Sequence, residues 1–210
     1  MRLLRYGGTG MLIEFASSRQ VTGAYRALVA ASREGQLPGV EELVPAARTV
    51  LLTMSPDVAL PLEWLESVLA EPGADEPGDE PDRSEVVIPV RYDGEDLDLV
   101  AETASLTVPE VIELHAGARY TVAFCGFAPG FGYLTGLPEQ LHQARLDSPR
   151  QKVPAGSVGI AGEYSAVYPR SSPGGWRLIG RTDEKLFDPT ADPPSRLLPG
   201  DRVRFDPISS

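Results

Sequence analysis

The cationic side chains that could bind an anionic ligand are concentrated between residues 144 and 181. This segment has six Lys or Arg and two Asp or Glu, so its net charge is +4 in a chain whose net charge is −11. Its turns PAGS and SSPGG have backbone N–H groups that can form a nest for an anion. Such a surface suits a small carboxylate or phosphate, and the alternative is a set of solvated charges at the rim of a barrel. The cations are Arg145, Arg150, Lys152, Arg170, Arg177 and Arg181.

Two histidines and one cysteine complete the set of reactive side chains. His115 and His142 lie 27 residues apart in different segments, so no metal site is predicted. His115 stands near the end of a predicted helix, where it could be a cap, a hydrogen-bonded core residue or an acid/base. Cys125 follows the apolar segment YTVAF and is interpreted as a buried small side chain rather than a nucleophile.

Three aromatic residues, Phe127, Phe131 and Tyr133, alternate with glycines in the segment GFAPGFGYL. They could form the wall of a ligand pocket, or they could belong to a β-barrel core. The glycines indicate a backbone that turns tightly or is approached closely by another segment.

Several function classes are not supported by the sequence. It has no P-loop, no dinucleotide-binding glycine motif, no nucleophile elbow and no Cys-x-x-Cys pair. An acidic chain without a Lys/Arg cluster is not expected to bind nucleic acid. No apolar run approaches 18 residues, and the first residues lack the apolar core of a signal peptide, so no membrane association is expected. One cysteine favours a reducing cytoplasm.

A short acidic segment suggests how the chain is organised. Residues 71–85, EPGADEPGDEPDRSE, contain seven acidic residues and one basic residue without apolar periodicity, which is typical of a solvated linker. Residues 1–70 before it have the pattern β-β-α-β-β-α, which predicts a small two-layer α+β domain of ferredoxin-like type. Residues 86–210 after it begin with a strand and a predicted helix over 97–104, and the pattern Thr107-x-x-Glu110 predicts a capping box that starts a second helix. From Tyr120 onward they contain short strands and turns, which predicts a barrel or sandwich.

Five ordered motifs in the second half resemble the family of 5-oxoprolinase B subunits. That family includes the Kip-type inhibitor of a sporulation histidine kinase and the first component of allophanate hydrolase. The resemblance implies a ferredoxin-like sandwich followed by a mainly-β cyclophilin-like barrel, together a carboxyltransferase-domain protein. The five motifs are GFAPGFGYL, Pro149–Arg150, VPAGSVGIAG, SPGGWRLIGRT and LLPGDRVRF. The segment VIELHAGARYTVAF also matches, with His115 in the Leu-His position of the family, and GGTGMLIEF and GVEELVP in residues 1–70 match more weakly.

The resemblance implies one component of a complex that hydrolyses 5-oxoproline to L-glutamate with ATP as co-substrate, together with the C and A subunits of 5-oxoprolinase. ATP would bind on this chain, at its interface with the C subunit, or on the A subunit, and no tightly bound cofactor is expected. Charge and motif position then indicate candidate roles. Arg150, Lys152 and Arg181 are the candidates for anion stabilisation, and His115 is the candidate acid/base. The candidates for substrate binding are Phe131, Tyr133, Gly156 and Ser157.

Two other functions remain open at this stage. A Kip-type module would dock on a sensor histidine kinase through an exposed apolar patch rather than a pocket. The second is hydrolysis of another amide, such as a urea-related compound, with the chain again as one component of the enzyme. The chain has Glu163, Tyr164, Ser165 and Ala166 where the family commonly has Gln or Asn followed by Thr-Gly, which adds a negative charge beside the predicted pocket and keeps another amide substrate open.

Overall fold

The computed structural model describes residues 1–56, 65, 67, 69 and 85–208. The chain divides into two compact units, Met1–Pro81 and Asp82–Ser210. The predicted linker, residues 71–85, lies outside the described residues except for Glu85. In the described part of the chain, no helix has the length and apolar character needed to cross a membrane.

The first unit is a four-stranded antiparallel sheet packed on a helix. Helix α1 begins after Ser17, whose side chain accepts a hydrogen bond from the N–H of Gln20, and Val21, Ala24 and Leu28 bury one face of it. Its elements are β1 (Arg2–Tyr6), β2 (Gly10–Glu14), α1 (Ser18–Arg33), β3 (Val40–Pro45) and β4 (Thr49–Met54).

The strand order of this sheet is β1-β2-β4-β3. Strand β4 pairs antiparallel with both β2 and β3, so β2 and β3 are parallel to each other and α1 connects them. This is a split β-α-β unit. Residues 65, 67 and 69, within the predicted second helix, are helical, and Leu65 is fully buried in the core of this unit.

The second unit begins with a strand and two helices and continues as strands. Helix α3 has the predicted capping box, in which the Thr107 side chain and the Glu110 carboxylate each accept a backbone hydrogen bond from the other residue. The elements are β5 (Val86–Val90), α2 (Leu97–Ala104), α3 (Val108–Gly117), β6 (Tyr120–Cys125), β7 (Gly132–Thr135), β8 (Arg150–Val153), β9 (Ser157–Ala161), β10 (Tyr164–Val167), β11 (Ser172–Gly174), β12 (Arg177–Arg181) and β13 (Arg202–Pro207).

Seven of these strands form a nearly closed barrel in the order β12-β9-β10-β7-β6-β13-β5. The first and last strands meet through an isolated bridge, in which Arg91 and Arg181 exchange two backbone hydrogen bonds of 2.9 and 2.8 Å. The interior is filled by large apolar side chains, among them Ile88, Leu134 and Phe205. The mostly-β architecture predicted for this part of the chain is therefore confirmed.

A second, smaller core lies on the other face of the barrel wall. Side chains alternate along β10, so Ser165 and Val167 face the interior while Ala166 faces the opposite side. The two-stranded sheet of β8 and β11 contributes to this second core through Val153. The sequence pattern does not predict these two strands, because both are short and β11 contains Pro173.

Candidate functional site

The second core is built around aromatic rings that contact each other in edge-to-face, tilted and stacked arrangements. Phe131 is 1% exposed, and its ring centroid lies 5.1 Å from that of Tyr133, 5.3 Å from Tyr168 and 5.6 Å from Trp176. Tyr133 is half-buried and stacks on Phe124 with centroids 4.3 Å apart. Each such pair adds about 1 kcal/mol beyond the burial of its area. The structure thus brings together Phe131 and Tyr133, the two aromatic residues predicted to contact substrate.

Phe127 stands over this cluster in an unusual backbone conformation. Its φ is +66°, in the left-handed region that costs a non-glycine residue about 1–2 kcal/mol. The loop is nevertheless well fixed, because the N–H of Gly126 donates to the Phe131 carbonyl (3.1 Å) and the N–H of Phe131 donates to that of Ala128 (3.0 Å). The Phe127 side chain is 59% exposed and meets the Phe131 ring edge to face at 5.2 Å. Backbone conformations of this strained kind cluster in loops at functional sites.

His115, the candidate acid/base, lies inside the barrel. It is fully buried, and its two ring nitrogens contact the Tyr92 hydroxyl at 2.8 Å and the Ser165 hydroxyl at 2.9 Å. Its ring stacks on Phe205 with centroids 4.5 Å apart. Burial lowers the pKa of His115 to about 3, and it raises the pKa of Tyr92 far above its ordinary value. This imidazole is therefore neutral in the folded protein, and its predicted role in proton transfer stays a prediction.

Arg150, the first candidate anion-binding residue, forms ion pairs with two residues of the same unit. Its guanidinium donates to Asp96 at 2.7 Å and to Glu95 at 3.3 Å. The other Asp96 carboxylate oxygen accepts the backbone N–H of Leu178 at 2.7 Å. Because Asp96 is buried and immediately precedes α2, this ion pair fastens the start of that helix to the barrel.

The other two candidate cations differ from Arg150 in exposure and partners. Arg181 is 61% exposed and pairs with Asp93 at 2.8 Å at the closure of the barrel. Lys152 is exposed on β8, in the two-stranded sheet that covers the aromatic core. The structure thus pairs two of the three cations with carboxylates, and their role toward a ligand stays a prediction.

Gly156 and Ser157, the candidate nest, belong to a tight turn before β9. The N–H of Gly156 donates to the Tyr168 carbonyl at 2.8 Å, and its carbonyl accepts the N–H of Thr182 at 2.8 Å. With φ at +81°, Gly156 has no room for a side chain, because a Cβ would lie 2.2 Å from the Thr182 carbonyl oxygen. Ser157 is buried, and its carbonyl accepts the N–H of Tyr168. The Gly156 N–H is thus used within the fold, and ligand binding by this pair stays a prediction.

Cys125 is a half-buried side chain that packs against the barrel core. Its thiol lies 3.6 Å from the Leu197 carbonyl oxygen. Burial, together with the negative charge of Asp201, raises the pKa of this thiol to about 11, so it is almost entirely protonated at neutral pH.

Two important residues were missed by the sequence reasoning. Asp96 holds Arg150, and Ser165 holds His115 across 50 residues of sequence. An Asp just before a predicted helix was a detectable signal, but it indicates a cap rather than an ion pair. For Ser165 there was no local signal, and it lies within the segment Glu163 to Ala166 that departs from the family pattern. Glu163 itself is exposed at the β9–β10 turn.

Comparison with known proteins gives consistent matches over most of the chain. The family model for the carboxyltransferase domain, subdomains C and D, matches residues 1–197. The B subunit of 5-oxoprolinase from Escherichia coli O157:H7 is 41% identical over 96% of this chain and 93% of its own length. The protein of the same name from Bacillus subtilis is 40% identical over 97% of this chain and 91% of its own length.

Two solved structures also resemble this chain. TTHA0988 is 35% identical with a TM-score of 0.79, over 96% of this chain and 40% of its own. The Kluyveromyces lactis urea carboxylase is 20% identical with a TM-score of 0.70, over 99% of this chain and 22% of its own, which is a likeness of fold. The chain therefore belongs to the carboxyltransferase-domain, subdomain C and D, family.

Proposed function

We propose that this chain is the B subunit of a multi-component 5-oxoprolinase, which hydrolyses 5-oxoproline to L-glutamate with ATP as co-substrate. The observation that carries the proposal is the 41% identity to a 5-oxoprolinase B subunit over nearly the full length of both chains. The proposed partners are the C and A subunits of that enzyme, and the proposed location is the cytoplasm.

The geometry of the second unit supports a role as part of an enzyme rather than as a complete one. Opening a lactam with ATP needs cations beside the phosphoryl oxygens, a positioned water and a proton for the ring nitrogen that leaves. Within residues 85–208, Arg150 and Arg181 neutralise carboxylates of the same unit, and the His115 imidazole is sealed in the barrel. The proposal therefore assigns part of the catalytic machinery, including the nucleotide site, to partner subunits.

The same proposal assigns the substrate to the face of the second core. Tyr133 would contact the apolar edge of the ring, with the buried Phe131 packed behind it. Lys152, exposed on β8, is the candidate cation that does not take part in the described ion pairs. Gly156 and Ser157 would shape the turn behind this face. His115 would act by holding Ser165 and the barrel wall in place, since its side chain has no access to solvent.

The fold types expected for the two units are also part of this proposal. In the first unit, the split β-α-β arrangement supports a ferredoxin-like sandwich whose edge strand comes from the start of the chain. In the second, the nearly closed seven-stranded sheet supports a cyclophilin-like barrel. The acidic residues 71–85 are proposed as the linker between them.

The test of this function is reconstitution with the candidate A and C subunits. ADP and glutamate formation would be measured with 5-oxoproline, in assemblies with and without this chain. The expected result is turnover that requires both 5-oxoproline and the chain. Equal turnover without the chain would refute the proposal. So would a well-folded, co-purifying assembly with no turnover, which would instead favour another amide substrate or a Kip-type binding role.

A further inference from the structure

Arg145 occupies a defined position next to the aromatic cluster. On one side of it, the Ala144 carbonyl accepts the Nε–H of Arg177 at 3.1 Å. On the other side, the N–H of Leu146 donates to the Gly175 carbonyl at 2.8 Å. These two bonds hold residue 145 beside Trp176, whose ring centroid is 5.6 Å from that of Tyr133.

The positive charge of Arg145 acts on the hydroxyl groups of Tyr133 and Tyr168. Burial raises the pKa of Tyr133 and that of Tyr168, and the positive charge of Arg145 opposes the rise in both. Arg145 is itself exposed. Arg150 and Arg181 are each paired with carboxylates, whereas the salt bridges among the described residues do not include Arg145.

Phe127 also lies close to Tyr168. Its ring lies 6.3 Å from that of Tyr168, which is the tyrosine that also feels the Arg145 charge. An exposed guanidinium and an exposed, rigidly held phenyl ring thus flank one buried tyrosine. A guanidinium binds a carboxylate through two parallel hydrogen bonds, and an aromatic ring excludes water from the apolar edge of a ligand.

We propose that Phe127, Tyr133 and Arg145, here called the aromatic face, bind a small cyclic carboxylic acid, with its carboxylate on Arg145 and its ring against the two aromatic side chains. The inference rests on the proposed function, for which 5-oxoproline is a ligand of this class. Arg145 is favoured over Arg150 and Arg181 as the carboxylate partner, because those two are already engaged with carboxylates of the same unit. It is favoured over Lys152 because its charge acts on the Tyr133 and Tyr168 hydroxyls.

The test uses the assembly with the candidate A and C subunits and compares Arg145→Ala with Arg202→Ala. The control removes an exposed arginine from β13, outside the aromatic face. Loss of a charge-assisted contact should raise the KM for 5-oxoproline, and its Kd measured calorimetrically without ATP, by roughly ten- to a hundredfold. The kcat should stay within about twofold of wild type, because the lost contact is made equally in ground and transition states. Arg202→Ala should match wild type in both constants.

A second ligand separates carboxylate recognition from a general structural effect. 2-Pyrrolidinone has the same lactam ring without the carboxylate. Wild type should bind 5-oxoproline at least about tenfold more tightly than 2-pyrrolidinone, and Arg145→Ala should lose this preference. Phe127→Ala should weaken both ligands alike, whereas Leu99→Ala, which removes an exposed apolar side chain from α2, should weaken neither. Circular dichroism would verify that each variant is folded.

The outcomes are distinguishable. If wild type turns over 5-oxoproline and folded Arg145→Ala keeps both its KM and its preference, the aromatic face is refuted while the proposed function stands. If Arg145→Ala loses its partner subunits but binds 5-oxoproline with unchanged Kd, the face is an interface with those partners and the proposal is overturned. If the wild-type assembly neither binds nor hydrolyses 5-oxoproline, the proposed function itself fails.

Discussion

The burial of His115 predicts a specific loss of stability in acid. The folded-state pKa of this imidazole is about 3, whereas the value in an unfolded chain is about 6.5. Between these values the unfolded state binds a proton that the folded state does not, so the free energy of unfolding falls as the pH is lowered. At pH 4.5, two units below the unfolded value, the loss relative to pH 7.5 is about 3 kcal/mol.

The assay is urea unfolding at a series of pH values in a Trp64→Phe background. Trp176, which is buried in the second unit, then reports on that unit. Other groups also titrate over this range, so the quantity that matters is the difference between wild type and His115→Gln. His115→Gln should be less stable at pH 7.5, because Tyr92 and Ser165 lose a shared partner. Its stability should fall less steeply from pH 7.5 to 4.5, by about 3 kcal/mol over the range.

The control is His142→Gln, which removes an exposed imidazole from the same unit. It shows how far the loss of a histidine at the surface of this unit changes the urea unfolding curves, apart from any effect at the barrel interior. If His115→Gln and wild type lose stability in parallel from pH 7.5 to 4.5, the imidazole is not held neutral in the barrel and the reasoning is wrong.

Three further predictions concern the same unit. Asp96→Asn should lower the free energy of unfolding by about 3 kcal/mol, because the partly buried Arg150 guanidinium loses its buried carboxylate and keeps only the exposed one of Glu95. Glu95→Gln should lower it by at most about 0.5 kcal/mol. Thermal denaturation would compare them, and equal effects would contradict the assigned geometry. Gly156→Ala should be more destabilising than Gly162→Ala in the same assay. The positive φ of each position costs an alanine about 1–2 kcal/mol, but only Gly156→Ala also places a Cβ against a backbone carbonyl oxygen. Cys125→Ser should leave turnover of the reconstituted assembly within about twofold. The wild-type thiol should react slowly with a disulfide reagent at pH 8, because its pKa is about 11, and fast labelling of the native protein would show that this pKa is not raised.

Features set by neighbouring residues could be predicted from the sequence. The capping box of Thr107 and Glu110 and the helix 97–104 are confirmed, because a helix start depends on side chains within one turn of the backbone. The alternation of short apolar runs and Gly/Pro turns after Tyr120 indicated the mostly-β architecture for the same reason. The motif GFAPGFGYL also indicated an aromatic cluster with a tightly turning backbone, which the structure contains.

The environment of each candidate site residue was decided only by tertiary structure. Arg150 is 54 residues from Asp96, and His115 is 50 residues from Ser165, so no spacing in the sequence identifies either pair. With 30 acidic residues in the chain, a given arginine has many possible partners, and only the folded backbone selects one. Whether a charged side chain is free to bind a ligand depends on that selection, because an ion pair within the fold already satisfies it. The sequence therefore determined the family, the local elements and the residue types at the site, and the packing of the barrel determined which of those residues are engaged and which face solvent.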